Sequence, residues 1–145
     1  MSQPPRDHEA YRFPVSIKGV VIRHGRVIVL KNERDEWELP GGKLEPDETP
    51  EICVGREIRE ELQLEVQPMR LLDTWVYRIT PALRVLIVTY GCAEMAARQA
   101  VLSHEHKEVQ WVPLDDVVRL RMPQGYKASI AAWAQLGGRV GEGFT

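Results

Sequence analysis

The stretch that most constrains this chain runs from residue 41 to residue 64, where two adjacent glycines precede a segment rich in glutamate. It reads G-G-K-L-E-P-D-E-T-P-E-I-C-V-G-R-E-I-R-E-E-L-Q-L. Glu57, Glu60 and Glu61 are spaced i, i+3, i+4, so on a helix their side chains share one face. Like charges at this spacing repel by about 0.2–0.5 kcal/mol per pair, and a divalent cation bound by carboxylate oxygens removes that cost. The cluster is therefore the first place in the chain to look for chemistry.

The same stretch contains the signals that start an amphipathic helix. Thr49 is a predicted N-cap, and Pro50 fits the first helical position. Ile52, Ile58 and Leu62 are apolar positions that we expect to face a core. Upstream, the letters W-E-L-P-G-G predict the end of a short strand followed by a loop, because two glycines permit positive φ and close backbone approach.

The motif can be read in two ways. Taken alone, R-E-I-R-E-E-L is typical of a solvated helix with salt bridges such as Arg56 to Glu60. The whole constellation, however, resembles the signature of the Nudix hydrolases, G-x5-E-x7-R-E-U-x-E-E-x-G-U with U aliphatic. Every fixed position from Gly42 to Leu64 agrees except one, where Gln63 stands in place of glycine. Glycine usually serves there as a left-handed helix cap, so the departure concerns the helix end and removes no metal ligand.

The resemblance implies both a fold and an activity. The implied fold is α/β, a Nudix-type α/β/α sandwich with a mixed β-sheet. The implied activity is Mg²⁺- or Mn²⁺-dependent hydrolysis of the diphosphate linkage in a nucleoside diphosphate joined to another group. NTP or dNTP, ADP-ribose, nucleotide sugars and dinucleoside polyphosphates all stay open as substrates. The alternative is a non-catalytic Nudix-like domain that binds a nucleotide as a regulatory ligand. Loss of motif carboxylates would mark that class, and none is lost.

The resemblance also assigns roles within the motif. The implied metal ligands are Glu57 and Glu61, then Glu60, then the Gly41 carbonyl, with Glu48 in or next to this shell. Arg56 is expected to orient Glu57, since a hydrogen-bonded partner fixes a ligand carboxylate.

The base that deprotonates the attacking water is less determined. In many family members it is a glutamate on a later loop, and the segment H-E-H-K-E-V-Q-W offers Glu105 and Glu108. Glu108 directly precedes a predicted strand and ranks slightly ahead of Glu105, while Glu57 could be both ligand and base. His104 and His106 are interpreted as surface residues because Mg²⁺ prefers oxygen ligands.

The nucleoside pocket is the least specified part of the sequence. Trp75, Tyr77 and Tyr126 are candidates to stack on a base, although ordinary packing is the commoner role for any one of them. Lys43 is a candidate to reach a phosphate, although a loop lysine is usually only solvated.

Composition excludes several other classes. The chain has 145 residues, enough for one domain with a core, and a net charge of −2 without a basic tract. No polymeric nucleic acid is expected as a partner; the expected partner is a small nucleotide, and the sequence leaves a homodimer open. Cys53 and Cys92 have no disulfide or metal spacing and predict free buried thiols. No signal-peptide core or apolar run of membrane-spanning length occurs, so a cytoplasmic location without membrane contact is expected.

Periodicity and turn residues predict the remaining elements. We expect an arm at 1–12, one domain at 13–137 and a flexible tail at 138–145. The predicted strands are 15–22, 26–30, 69–79, 83–91 and 109–112, with turns at 24–25 and 80–82, and the predicted later helices are 114–120 and 125–136.

Overall fold

The computed structural model describes residues 3–4, 6, 8, 10–96, 98–103 and 108–138. In chain order the elements are β1 (Val15–Arg23), β2 (Arg26–Lys31), β3 (Trp37–Glu38), β4 (Gly41–Lys43), α1 (Pro50–Leu62), β5 (Val66–Thr80), β6 (Leu83–Glu94), β7 (Glu108–Pro113), a 3₁₀-helix (Leu114–Arg119) and α2 (Gln124–Gln135). The predicted strands and helices are confirmed, with differences in bounds and type. β5 begins at Val66 rather than at residue 69, β6 continues to Glu94 rather than ending at residue 91, and the short helix after β7 is of the 3₁₀ type.

The strands form one mixed sheet. Its order is β3-β2-β1-β6-β5, with β4 also paired to β1 and β7 also paired to β2. β1 and β6 run parallel from the pair Val15 and Leu86 to the pair Val21 and Cys92, and the other strand pairs are antiparallel. The predicted mixed sheet is therefore confirmed.

The two helices cover opposite faces of this sheet. Val54, Ile58 and Leu62 of α1 lie in one buried cluster with side chains of β1 and β2. Ile130 and Trp133 of α2 lie in a second cluster that contains other side chains of the same strands. Successive side chains of a strand point to opposite faces, which explains how one strand supplies both clusters. The expected α/β/α layering is confirmed.

The start of α1 follows the sequence signals, but one apolar position was misassigned. Thr49 accepts the backbone N–H of Ile52 at 3.3 Å through its hydroxyl, and Pro50 is the first helical residue. Ile52, predicted to face the core, is instead 61% exposed. The buried stripe follows the i, i+4 series of Val54, Ile58 and Leu62, and Ile52 lies two residues before that series, about 160° away on the helix.

The glycine pair also differs from its prediction as a loop. Gly41 and Gly42 belong to β4, which pairs with Lys18 and Ile17 of β1. A pairing partner about 24 residues away in sequence was not visible in local letters, and this long-range pairing is what makes the segment a strand.

Both predicted turns are confirmed. His24 and Gly25 have φ values of 50° and 75° between β1 and β2, as a tight hairpin turn requires. Between β5 and β6, the Thr80 hydroxyl accepts the backbone N–H groups of Ala82 and Leu83 at 3.2 and 3.0 Å.

Within the described ranges, Cys53 and Cys92 are buried free thiols, as the sequence predicted. Over these ranges, no helix combines the length and apolarity that crossing a membrane requires. The division into arm, domain and tail stays a prediction, and residues 139–145 of the tail lie outside the described part of the chain.

Candidate functional site

The two glycines allow close approaches on two sides of β4, Gly41 to the backbone of β1 and Gly42 to a side chain of α1. Gly41 has φ of 144°, and a Cβ there would lie 2.0 Å from the Ile17 carbonyl oxygen. A Cβ on Gly42 would lie 2.3 Å from the carboxyl carbon of Glu57. Only glycine fits position 41, where the atoms met are backbone; at position 42 they belong to the end of the Glu57 side chain, so the Glu57 carboxylate lies directly against the backbone of β4.

Glu61 is held at the same place by a backbone hydrogen bond. Its carboxylate accepts the Gly41 N–H at 2.8 Å, and the residue is only 4% exposed. Burying a carboxylate is costly unless its oxygens are hydrogen-bonded or paired with a cation. This bond explains how a glutamate is tolerated on the buried side of α1.

Arg56 gathers three further carboxylates. Its guanidinium donates to both oxygens of Glu48 at 2.7 and 2.9 Å, to Glu57 at 3.1 Å and to Glu60 at 3.1 and 3.3 Å. The predicted orienting contact with Glu57 is present, and so is the i, i+4 salt bridge with Glu60 that a solvated helix would show. Both interpretations of the motif therefore describe contacts that occur together.

The charge of Arg56 sets the ionisation of Glu48. Its hydrogen bonds lower the pKa of that carboxyl from the ordinary 4.5 to about 2, and the backbone N–H of Glu45 contributes in the same direction. The same hydrogen bond to Glu48 raises the pKa of Arg56 above its usual range. Glu48 is therefore an anion throughout the physiological pH range.

The donor set fits a hard divalent cation. Glu57 and Glu61 both lie against β4, and carboxylate oxygens are the ligands that Mg²⁺ and Mn²⁺ prefer. Across residues 10–96, 98–103 and 108–138, no three acidic, histidine or cysteine side chains already converge as a closed metal cluster. Glu57 and Glu60 bind Arg56 instead, so the roles of Glu57, Glu61, Glu60, Gly41 and Glu48 as ligands stay predictions.

Of the two candidate bases outside the motif, Glu108 lies in the described part of the chain and Glu105 does not. Glu108 is the first residue of β7 and pairs with Lys31 of β2. The neighbouring Val109 packs with the α1 cluster, so alternation along the strand directs Glu108 to the other face of the sheet. His104, Glu105 and His106 lie outside the described residues.

Cys53 is a residue of this site that the sequence did not single out. Its thiol donates to the carbonyl oxygens of Lys43 at 3.4 Å and Gly42 at 3.8 Å. Burial, followed by the neighbouring Glu48, raises the pKa of Cys53 to about 12. The thiol is therefore a neutral donor that ties the end of β4 to α1.

A cavity of about 420 Å³ lies beside β4 on the α2 side of the sheet. Its lining combines apolar side chains of β5 and β6 with polar side chains of β1 and residues 32–38: Pro14, Ser16, Lys18, Asn32, Glu33, Arg34, Glu38, Lys43, Tyr77, Ile79, Leu83, Val85, Ile87 and Tyr126. Its size and mixed lining are typical of a small-molecule site. A larger hollow of about 560 Å³ lies at Arg23, Arg98 and Trp111, but no residue of β4 or α1 lines it.

The three aromatic candidates for stacking on a base differ in whether they line this cavity. Tyr77 and Tyr126 line the cavity, and the Tyr77 hydroxyl donates to Glu36 at 2.7 Å. Trp75 does not belong to the lining; it packs edge-on against Tyr126 with ring centroids 5.2 Å apart. Lys43, the last residue of β4, also lines the cavity.

Lys18 is the second residue that sequence reasoning missed. It is 7% exposed on the cavity floor, and its ammonium lies 3.3 Å from Glu38. Burial alone would lower the pKa of Lys18, but Tyr126, Glu38 and Glu61 together raise it above its ordinary value. A lysine inside the apolar run V-S-I-K-G-V-V was the signal available in the sequence, since a charge there must find a buried partner.

Comparison with known proteins places these features in a family. A model of the NUDIX domain matches residues 12–134. A MutT-like protein of Streptomyces ambofaciens is 38% identical over 128 residues, covering 87% of this chain and 80% of the relative. A putative 8-oxo-dGTP diphosphatase 2 of Mycobacterium tuberculosis is 33% identical over 115 residues, covering 70% of this chain and 82% of the relative. Among solved structures, a MutT NUDIX hydrolase from Burkholderia pseudomallei superposes with a TM-score of 0.70 at 25% identity, covering 83% of this chain and 98% of that one.

Proposed function

We propose, from the premise that this chain belongs to the NUDIX domain family, that it is a divalent-metal-dependent enzyme hydrolysing a diphosphate linkage in a small nucleotide. Pyrophosphohydrolase activity on nucleotide-linked substrates is supported by the family match and by the named relatives. The observation that carries the proposal is the placement of the Glu57 and Glu61 carboxylates against the backbone of β4, beside a cavity of nucleotide size.

The metal has a defined task in this scheme. Divalent cations neutralise the diphosphate and lower the pKa of an attacking water. We propose that Glu57 and Glu61 hold the metal, with Glu60, the Gly41 carbonyl and Glu48 as further oxygen ligands. Mg²⁺ is the proposed ion and Mn²⁺ its substitute.

The chain's own residues supply orientation and proton transfer. Arg56 fixes Glu57 and Glu48 through charge-assisted hydrogen bonds, the strongest class of such contacts. We propose Glu57 as the base as well as a ligand, since its carboxylate lies against β4, whereas alternation along β7 directs the Glu108 side chain to the face away from α1. Lys43, at the border of the cavity, would contact a phosphate of the substrate.

Nucleoside triphosphates are the proposed first substrates. A relative that matches most of this chain is named for hydrolysis of 8-oxo-dGTP, whereas the match to a putative ADP-ribose pyrophosphatase YjhB spans 39% of this chain and 27% of that protein. ADP-ribose, nucleotide sugars and dinucleoside polyphosphates belong in the same screen. A non-catalytic regulatory domain is the alternative, and the complete set of motif carboxylates argues against it. We also propose a cytoplasmic location. Light scattering of the purified protein tests whether it forms a homodimer.

The test is a phosphate-release screen of these nucleotides with Mg²⁺ or Mn²⁺, run on wild type and on Glu61→Gln. The amide oxygen of the substituted side chain keeps an acceptor for the Gly41 N–H but removes the charge, so the fold should persist while turnover falls by orders of magnitude. Matching melting temperatures would verify the fold. Turnover by Glu61→Gln at the wild-type rate would overturn the site, and nucleotide binding without hydrolysis by wild type would favour the regulatory alternative.

A further inference from the structure

The floor of the 420 Å³ cavity carries a buried cation outside the metal motif. Lys18 lies on β1 directly opposite Gly41 of β4, whose N–H binds the Glu61 carboxylate, and Lys18 itself lines the cavity. Its ammonium has three N–H donors and no acceptor. One donor binds Glu38 at 3.3 Å. Lys18 is 7% exposed and lines the cavity.

Two polar neighbours of this ammonium, Glu38 and Asn32, have hydrogen-bond partners of their own. Glu38 accepts from Lys18 through one carboxylate oxygen and from the side-chain amide of Asn32 at 2.7 Å through the other. The side-chain oxygen Oδ1 of Asn32 accepts the backbone N–H groups of Arg34 and Glu36 at 2.9 and 3.1 Å. Since Asn32 is only 3% exposed, Lys18 is the donor that this part of the floor presents to the cavity, next to a Glu38 carboxylate whose oxygens each accept one hydrogen bond already.

We propose that Lys18 is a specificity-determining residue, which selects bases carrying a ring carbonyl oxygen over bases carrying an amino group at the same position; this rests on the proposed function. A carbonyl such as O6 of guanine or hypoxanthine, or O4 of uracil, accepts a hydrogen bond from an ammonium. The N6 amino group of adenine and the N4 amino group of cytosine are donors, so they would meet the ammonium donor to donor. The apolar walls formed by Ile79, Val85 and Ile87 admit the ring without competing for hydrogen bonds.

A purely structural role for Lys18 makes a different prediction. If the ammonium served only to neutralise Glu38, its removal would lower stability and act equally on every nucleotide. The ratio of specificity constants for two bases separates the readings, because a loss of folded protein cancels from that ratio.

The experiment compares ITP with ATP, which differ at the base in the C6 carbonyl against the C6 amino group. For wild type we expect kcat/KM to be about 10- to 100-fold higher for ITP, the usual worth of a hydrogen bond to a charged donor. In Lys18→Met the ratio should fall to within about threefold of unity. Lys18→Arg keeps the donor and should keep a preference for ITP. Equal rates for both nucleotides in wild type, or a full preference in Lys18→Met, would overturn the proposal.

Two further variants protect the test against misfolding. Lys18→Met with Glu38→Gln removes the ion pair as a whole and avoids a buried carboxylate without its ammonium, the costly case; the ratio should again approach unity. Lys31→Met removes an ammonium from the neighbouring strand, where it lies 5.3 Å from the Trp37 ring and outside the cavity lining, and it should leave the ratio unchanged. Calorimetric affinities for ITP and ATP test the base preference separately from turnover. A protein that prefers ITP in binding but hydrolyses neither would refute the proposed function and retain the inference.

Discussion

Replacing Gln63 with glycine should stabilise the protein. Gln63 follows α1 with φ of 56° and ψ of 30°, in the left-handed region, and its backbone N–H bonds the Arg59 carbonyl at 2.9 Å. A residue with a Cβ pays about 1–2 kcal/mol for this conformation relative to glycine. The side chain is exposed, so its removal costs little packing.

The unfolded chain offsets part of this gain. Glycine makes the unfolded state more flexible, which costs about 0.4–1 kcal/mol. The net gain in the free energy of unfolding for Gln63→Gly is therefore about 0.5–1 kcal/mol. For a chain of this size it corresponds to a rise in Tm of about 1–4 °C.

A substitution series at residue 63 makes the argument refutable. Gln63→Asn should give a smaller gain, since asparagine tolerates the left-handed region better than most residues. Gln63→Ala keeps the Cβ and is the matched control, with no gain expected. Urea denaturation and calorimetry would measure the series. A fall in Tm for Gln63→Gly, or an equal rise for Gln63→Ala, would refute strain at residue 63 as the cause.

Two predictions concern the carboxylates. Glu57→Gln should lower kcat by at least about 10²–10⁴-fold, the worth of general-base catalysis, while Glu108→Gln should stay within about threefold of wild type. Single-turnover kinetics would measure both variants. A fall of about 10²-fold in Glu108→Gln would restore Glu108 as the first candidate for the base, as ranked from the sequence. Glu48 has a pKa lowered to about 2 by Arg56, so its contribution to stability is present above pH 4.5 and is lost as the pH falls through about 2. Glu48→Gln should therefore flatten the acid limb of the stability profile between these values, and an unchanged limb in acid titrations followed by circular dichroism would contradict this.

Local signals in the sequence predicted what depends on neighbouring residues. Thr49 and Pro50 marked the start of α1, and the turn residues marked both hairpins, because capping and turn chemistry act within a few positions. The motif's glycine position also predicted a left-handed helix end, and Gln63 adopts it. Ile52 was misassigned because three apolar letters were fitted to a helical face without the partner surface that decides which face is buried.

Contacts between distant segments were not available from local letters. The pair of Lys18 and Glu38 spans 20 residues and depends on β1 lying beside the segment that contains β3 and β4. The Cys53 thiol binds the carbonyl oxygens of Gly42 and Lys43. The sequence did not show these contacts, because they depend on β4 packing against α1 in the folded chain. The family motif predicts the carboxylates of the site, whereas Lys18 on the floor of the cavity lies on β1, outside that motif.

The end of α1 explains why the motif tolerates the loss of its glycine. The last carbonyl groups of a helix have no partner within it. Here the Glu61 carbonyl accepts the N–H of Ser103 and the Leu62 carbonyl accepts the N–H of Val101, both at 2.9 Å. Residues 101–103 thus hold the last turn from outside, while the Gly41 N–H holds the Glu61 carboxylate from the sheet. Since these bonds involve no side chain of residue 63, Gln63 has only to adopt the left-handed conformation, at a cost of about 1 kcal/mol, for Glu61 to keep its place against β4.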